Sequence, residues 1–214
     1  MRTAFHEQLD ALNKGTAVLR QDVGAMITLA TDALLHADID AAEHVIDRRD
    51  DIDHACAARE ADAFVILARQ APVARDLRAV LSATRNVADL HRMGALATHV
   101  AQISRRRHPD TAVPADVIGY FADMGAIAAR LAEDTKSVVL EVDSDRAAQL
   151  DADDEAMDDI HRRLFTVVMD PRWSHGTTAA VDITLLSRYY ERFADHAVEI
   201  AQRVIYQRTG ARQG

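Results

Sequence analysis

A thirteen-residue pattern occurs twice in this chain, 100 residues apart, and it restricts the fold more than any other feature. The later copy, Tyr189–Ala201, reads Tyr-Tyr-Glu-Arg-Phe-Ala-Asp-His-Ala-Val-Glu-Ile-Ala. The earlier copy, Asp89–Ala101, reads Asp-Leu-His-Arg-Met-Gly-Ala-Leu-Ala-Thr-His-Val-Ala. Arg92 aligns with Arg192, Ala97 with Ala197, Val100 with Ile200, and Ala101-Gln102 with Ala201-Gln202. A repeat this long exceeds the unit of a solenoid and points to a duplicated bundle.

The apolar period around the two copies is helical throughout. Phe5, Leu9, Leu12, Thr16, Leu19, Val23, Met26 and Ala30 recur at alternating steps of four and three, the seam of one long helix from about Phe5 to Leu35. Asp38 suits the cap of a second helix, whose seam carries Val45, Ile52, Cys56, Ala63 and Leu67 to about Gln70. A third helix, with Pro72 in its first turn, carries Leu77, Val80, Leu81, Val87 and Val100 to about Arg107. His108–Pro114, with two prolines and no apolar period, is the domain boundary, and Pro114 suits the first turn of the next helix. The fourth helix places Ile118, Phe121, Met124, Ala128, Leu131, Thr135 and Val138 inward, and Asp143-Ser144 offers a turn and cap. The fifth places Leu150, Met157, Ile160, Leu164, Phe165 and Val168 inward, and the sixth runs on to about Arg208. The expected fold is all-α: two tandem, antiparallel three-helix bundles, residues 1–108 and 115–210, packed side by side.

Composition narrows the function classes. A net charge of −9 argues against nucleic-acid binding, and the basic run Arg105-Arg106-Arg107 sits where it complements a helix C-terminus. Cys56 is the single cysteine, so no intramolecular disulfide forms, and its place in an apolar stripe marks it as an inert core residue. No stretch approaches the roughly 18 apolar residues of a membrane span, and the N-terminus lacks a signal-peptide apolar region. The expected location is cytoplasmic.

The chemistry concentrates in the second half. Glu191, Asp195 and Glu199 stand four apart and share one side of a helix, beside its buried seam. Acids there need a partner, because desolvating like charges together is costly. Asp154 and Asp158 form a second pair four apart, and antiparallel neighbours would bring Asp154, Asp158, Glu191 and Asp195 together. Four carboxylates suit a hard or borderline cation: iron, manganese, magnesium or zinc. The competing reading of the acid-rich run Asp151–Asp159 is a solvated face favoured by the helix dipole. His196 reads as a core histidine in preference to a ligand. Asp51/His54 and Asp158/His161 loosely copy the Glu-x-x-His elements of di-iron bundles, with the shorter Asp in place of Glu. No Gly-rich phosphate loop, Gly-x-Ser-x-Gly elbow or His-Glu-x-x-His motif occurs.

Three segments carry a family resemblance: Pro72-Val73-Ala74-Arg75-Asp76-Leu77-Arg78, Glu191-Arg192-Phe193-Ala194-Asp195-His196-Ala197, and Arg92-Met93-Gly94 in the earlier copy. Together with the duplication they resemble the PhoU family of phosphate-responsive regulators, closest to its PhoY branch. The resemblance implies an accessory protein of the high-affinity phosphate transporter, contacting its ATPase subunit and a sensor histidine kinase, and holding phosphate-starvation genes off when phosphate is plentiful. It implies membrane association only through partners, and it admits a homodimer. It also implies metal at Glu191 and Asp195, with Asp154 and Asp158 as the companion pair, sometimes in a multinuclear iron or zinc cluster. The first repeat departs from that pattern, with Arg49 beside Asp53 and with His91 and Ala95 in the other pair. The leading function is therefore a non-enzymatic regulator. A metal-dependent helical-bundle enzyme of the di-iron type and a metal-free helical adaptor are the alternatives.

Overall fold

Six α-helices form the computed structural model, which describes residues 2–137 and 144–209, with side chains described for 5–133 and 149–204. They are α1 (Arg2–His36), α2 (Ile39–Gln70), α3 (Ala74–Arg107), α4 (Ile118–Ser137), α5 (Ser144–Val168) and α6 (Gly176–Thr209). Among the described residues no strand occurs, and no helix is long and apolar enough to cross a membrane. The alternating four-and-three steps of α1 do what the period requires: Leu12, Leu19, Val23, Met26 and Ala30 are all fully buried.

Helix ends follow local chemistry. Asp38 caps α2, its Oδ1 accepting from the Ala41 N–H at 3.0 Å. The end of α3 is stitched to the end of α1: the Ser104 hydroxyl donates to the Ala33 carbonyl at 2.7 Å, and the His108 ring Nδ1–H donates to the Ala37 carbonyl at 3.0 Å.

Both prolines expected inside a first helical turn lie outside it. Ala71 and Ala74 have φ of 42° and 49°, so the helical run of α3 cannot extend back through Ala74 to Pro72. Pro114 instead opens a turn before α4, its carbonyl accepting from the Val117 N–H at 3.1 Å. The boundary segment is exposed from His108 to Thr111 but turns inward at Ala112 and Val113, the latter 0% exposed. Leu81 and Phe165 point outward, at 44% and 48% exposure. Each follows a buried residue, Val80 or Leu164, and consecutive helical residues diverge by about 100°. Val138, Asp143 and the side chain of Thr135 lie outside the described residues.

Helices α1, α2 and α3 pack on one another, as do α4, α5 and α6, while α1 meets α4 and α3 meets α6 across the junction. One continuous core fills both bundles, from Leu19 and Val45 through Phe121 to Val204. A smaller cluster, including Phe5, Leu12 and Val80, closes the far end of the first bundle. The α1–α4 crossing is close because glycines face it. A Cβ on Gly125 would lie 2.3 Å from Thr31 Cγ2, and one on Gly24 would lie 3.3 Å from Ala132 Cβ.

Candidate functional site

Helices α5 and α6 carry the four acids to adjoining positions. Asp154 and Glu191 are half-buried, while Asp158 and Asp195 are exposed. Burial pushes the Asp154 carboxyl upward, and the charges of Asp158, Asp195 and Asp151 add to the rise. Burial likewise raises Glu191, with Asp195 and Asp158 repelling its charge and Arg188 partly relieving it. Carboxylates from two helices thus feel one another.

The cluster is nevertheless open. Among the described residues, no three His, Cys, Asp or Glu side chains converge closely enough to ligate one ion as they stand. Arg188, one turn before Glu191 on α6, binds its Oε1, an intrahelical pairing at i,i+3 that the acid spacing did not foresee. Glu191 Oε2 is buried and has no hydrogen-bond partner. Four crowded carboxylates, one with an orphaned oxygen, fit a hard cation by charge and by donor type. Asp154, Asp158, Glu191 and Asp195 would hold it once Arg188 released Glu191, and the ion would supply the missing neutralisation.

The equivalent place in the first bundle is filled by the chain itself. Arg49 Nη1 donates to the His91 carbonyl at 3.0 Å, and Nη2 lies 2.7 Å from His91 Nε2 and 2.6 Å from Asp53 Oδ1. His91 Nε2 also lies 3.0 Å from Asp53 Oδ1. A guanidinium therefore packs against both the α2 acid and the α3 histidine, which also touch each other. The substitution of Arg49 for an acid supplies a tethered cation as well as removing a ligand.

The di-iron pattern is not assembled. Asp51/His54 and Asp158/His161 sit on α2 and α5, helices that do not touch, and His161 Nδ1 lies 3.0 Å from the Ser187 hydroxyl. Cys56 is buried, and its thiol is pushed up to about 11, first by burial and then by Asp53. It has none of the thiolate character that reactivity requires.

Two buried polar contacts escaped the sequence reading. Asp153, next to Asp154 but turned toward α4, is held by Arg130 at 2.9 Å and Gln149 at 3.3 Å. His196 is a buried histidine, as expected, but it is not apolar in its surroundings. Its Nδ1 lies 3.2 Å from Asp89 Oδ1, and Arg203 donates to Asp89 Oδ2 at 2.8 Å and to Asn86 Oδ1 at 2.7 Å. This network joins α3 to α6. Asp89 opens the earlier copy of the repeat, but nothing in its spacing reveals a partner 107 residues away.

Comparison with known proteins agrees with this architecture. The PhoU domain model matches twice, at residues 17–104 and 121–204. The chain is 56% identical over 211 residues to phosphate-specific transport system accessory protein PhoU homolog 2 of Mycobacterium tuberculosis, covering 99% of each chain. It is 45% identical to PhoU homolog 1 of the same species, covering 98% of this chain and 95% of that one. Among solved structures, PhoU from Pseudomonas aeruginosa superposes with a TM-score of 0.83 at 26% identity, covering 97% of this chain and 100% of that one.

Proposed function

The chain belongs to the PhoU family, and from that premise we propose that it is an accessory protein and negative regulator of phosphate uptake and phosphate-starvation signalling. It acts in the cytoplasm by protein–protein contact, linking the ATPase subunit of a phosphate ABC transporter to a sensor histidine kinase. It reaches the membrane only through those partners. The observation that carries this reading is the likeness over nearly the full length, at 45–56% identity, to proteins named as phosphate-transport accessory proteins. The repeats 1–108 and 115–210 are its two structural halves. The second half takes one iron, zinc, manganese or magnesium ion at Asp154, Asp158, Glu191 and Asp195, supported by the orphaned Glu191 oxygen and the mutual repulsion of the acids. A homodimer is compatible with this role.

Deleting the gene and measuring phosphate-regulated transcripts in phosphate-rich medium tests the regulator reading. Derepression is the expected result. Unchanged repression, with pull-downs that recover neither transporter ATPase nor kinase, would overturn it.

A further inference from the structure

Helix α3 is a basic element in an acidic chain. It carries seven arginines against two aspartates, and one of those, Asp89, is buried and already held by His196 and Arg203. Arg78, Arg85, Arg92, His99 and Arg106 recur at steps of seven, and all five are exposed. A seven-residue step drifts about 20° around a straight helix, so over four steps the five form one stripe that winds by about 80° along about 42 Å at 1.5 Å per residue. Arg78, Arg85 and Arg92 make no hydrogen bond or ion pair with a described residue. Arg106 approaches Asp182 only to 3.9 Å, because Arg107 holds that carboxylate at 2.6 Å.

Apolar surface accompanies the stripe at both ends. The exposed Leu81 stands between Arg78 and Arg85. Beside His99 and Arg106 a groove of about 510 Å³ opens against α6, walled by Leu185 and Tyr189. Leu185 is 38% exposed.

We propose that this face of α3, widened by Leu185 of α6, docks an amphipathic helix of a partner protein that bears carboxylates at seven-residue spacing beside apolar residues. A helix that supercoils along α3 repeats its side chains at the same pitch of about 10.5 Å per seven residues, so Arg78, Arg85, Arg92 and Arg106 each meet one acid in register, while His99, its ring edge-on to Tyr189 at 5.1 Å, supplies a polar contact. A bilayer or duplex nucleic acid fits less well. Both need cations spread over an area, whereas Asp195 and Glu199 are exposed on neighbouring α6, and the chain as a whole carries −9. The proposal deepens the reading of a regulator that works by contact. It fails separately, because binding in vitro can be absent while the deletion phenotype stands.

The test uses the full chain and a labelled synthetic helix of about 30 residues, long enough to span the stripe. The peptide has Glu at every seventh position, Leu on the flanking side, and Ala and Gln elsewhere. Fluorescence anisotropy should show saturable binding that weakens as salt rises. Arg85→Gln with Arg92→Gln should weaken it several-fold, and Arg85→Glu with Arg92→Glu about tenfold or more. A peptide with Lys replacing Glu should bind the charge-reversed chain better than the wild type. Equal circular-dichroism spectra for the three chains establish that all are folded. No binding, equal binding by wild-type and neutral chains of equal helicity, or tighter binding of anionic vesicles or duplex DNA than of the peptide would each overturn the proposal.

Discussion

The hydroxyls of Thr31 and Tyr190 lie 2.8 Å apart, a hydrogen bond between the first helix and the last, across the junction of the two bundles. The Thr31 hydroxyl also lies 2.8 Å from the Ile27 carbonyl one turn back, so donating there leaves it to accept from Tyr190. Tyr190 is fully buried, and burial pushes its phenol well above the ordinary tyrosine value. A buried hydroxyl requires a partner, and Thr31 is the partner this fold provides.

Tyr190→Phe should therefore destabilise the chain by about 1 kcal/mol, the net worth of one hydrogen bond, since the Thr31 hydroxyl keeps its intrahelical acceptor. Gly125→Ala should destabilise too, by up to about 2 kcal/mol net. Its Cβ would sit 2.3 Å from Thr31 Cγ2, and overpacking of about 1–3 kcal/mol exceeds the helix-propensity gain of about 1 kcal/mol. Urea midpoints measure both. A Gly125→Ala chain as stable as the wild type would show that the crossing can open without loss.

The network of Asp89, His196 and Arg203 should make stability depend on acid. Burial alone pushes the Asp89 carboxyl upward, but hydrogen bonds from His196 and Arg203 outweigh it and hold the carboxyl below its usual range. With the folded value depressed, the stabilisation is present above the ordinary carboxylate value, about 3.9, and is lost as pH falls through the folded value. Asp89→Asn should lower stability by about 3 kcal/mol at neutral pH, because it breaks a buried pair, and should flatten the loss in acid. Denaturation curves at neutral pH and below pH 4 check this. Parallel pH profiles for the two chains would contradict it.

Metal content should be one site per chain, in the second bundle. Glu191→Ala with Asp195→Ala should abolish the metal while leaving helix content nearly unchanged, because alanine is the better helix former. His91→Glu alone should create no second site, since Arg49 still occupies the space beside Asp53 and Ala95 still lacks a carboxylate. Elemental analysis of purified chains is the measurement. Two equally filled sites, or full retention in the double variant, would refute the assignment.

Without metal, the same acids should weaken the fold at neutral pH. Asp154 and Glu191 have folded values raised above their unfolded ones, first by burial and then by neighbouring carboxylates. Protonation therefore favours the folded state. The penalty is present above the folded values and is relieved as pH falls through them toward the unfolded values. Chelator-treated protein should gain stability as pH falls toward the unfolded carboxylate values, about 3.9 for Asp and 4.3 for Glu, and Glu191→Ala with Asp195→Ala should reduce that gain. Thermal melts after chelation would show it, and identical pH profiles for the two chains would count against it.

The tethered cation of the first bundle should matter for stability and not for metal content. Arg49→Ala removes three contacts, to the His91 carbonyl, the His91 ring and Asp53, and leaves that carboxylate to the histidine alone. A loss of about 1–3 kcal/mol is expected for hydrogen bonds to charged groups. Chemical denaturation together with elemental analysis separates this from a metal effect, and an unchanged midpoint would rule it out.

Six helices, their order and the cap at Asp38 were legible in the chain, because the four-and-three apolar period and a capping side chain act locally and do not depend on what packs opposite. The duplication was legible for the same reason, as a pattern compared with itself. The four acids could be named from spacing alone, since residues four apart share a helix side whatever the tertiary fold. Where Leu81 and Phe165 point was not legible, because an apolar residue beside a buried one can take either face until the neighbouring helices fix the rotation. The burial of Val113 likewise required two bundles sharing one core, which no period in a seven-residue linker can encode. Only the tertiary structure decided that Arg49 fills the first site, that Arg188 holds Glu191, and that Asp89 meets His196 from 107 residues away. Each is a charge satisfied by a particular neighbour. The choice among many candidate partners is made by distance and burial, quantities that exist only once the helices have packed.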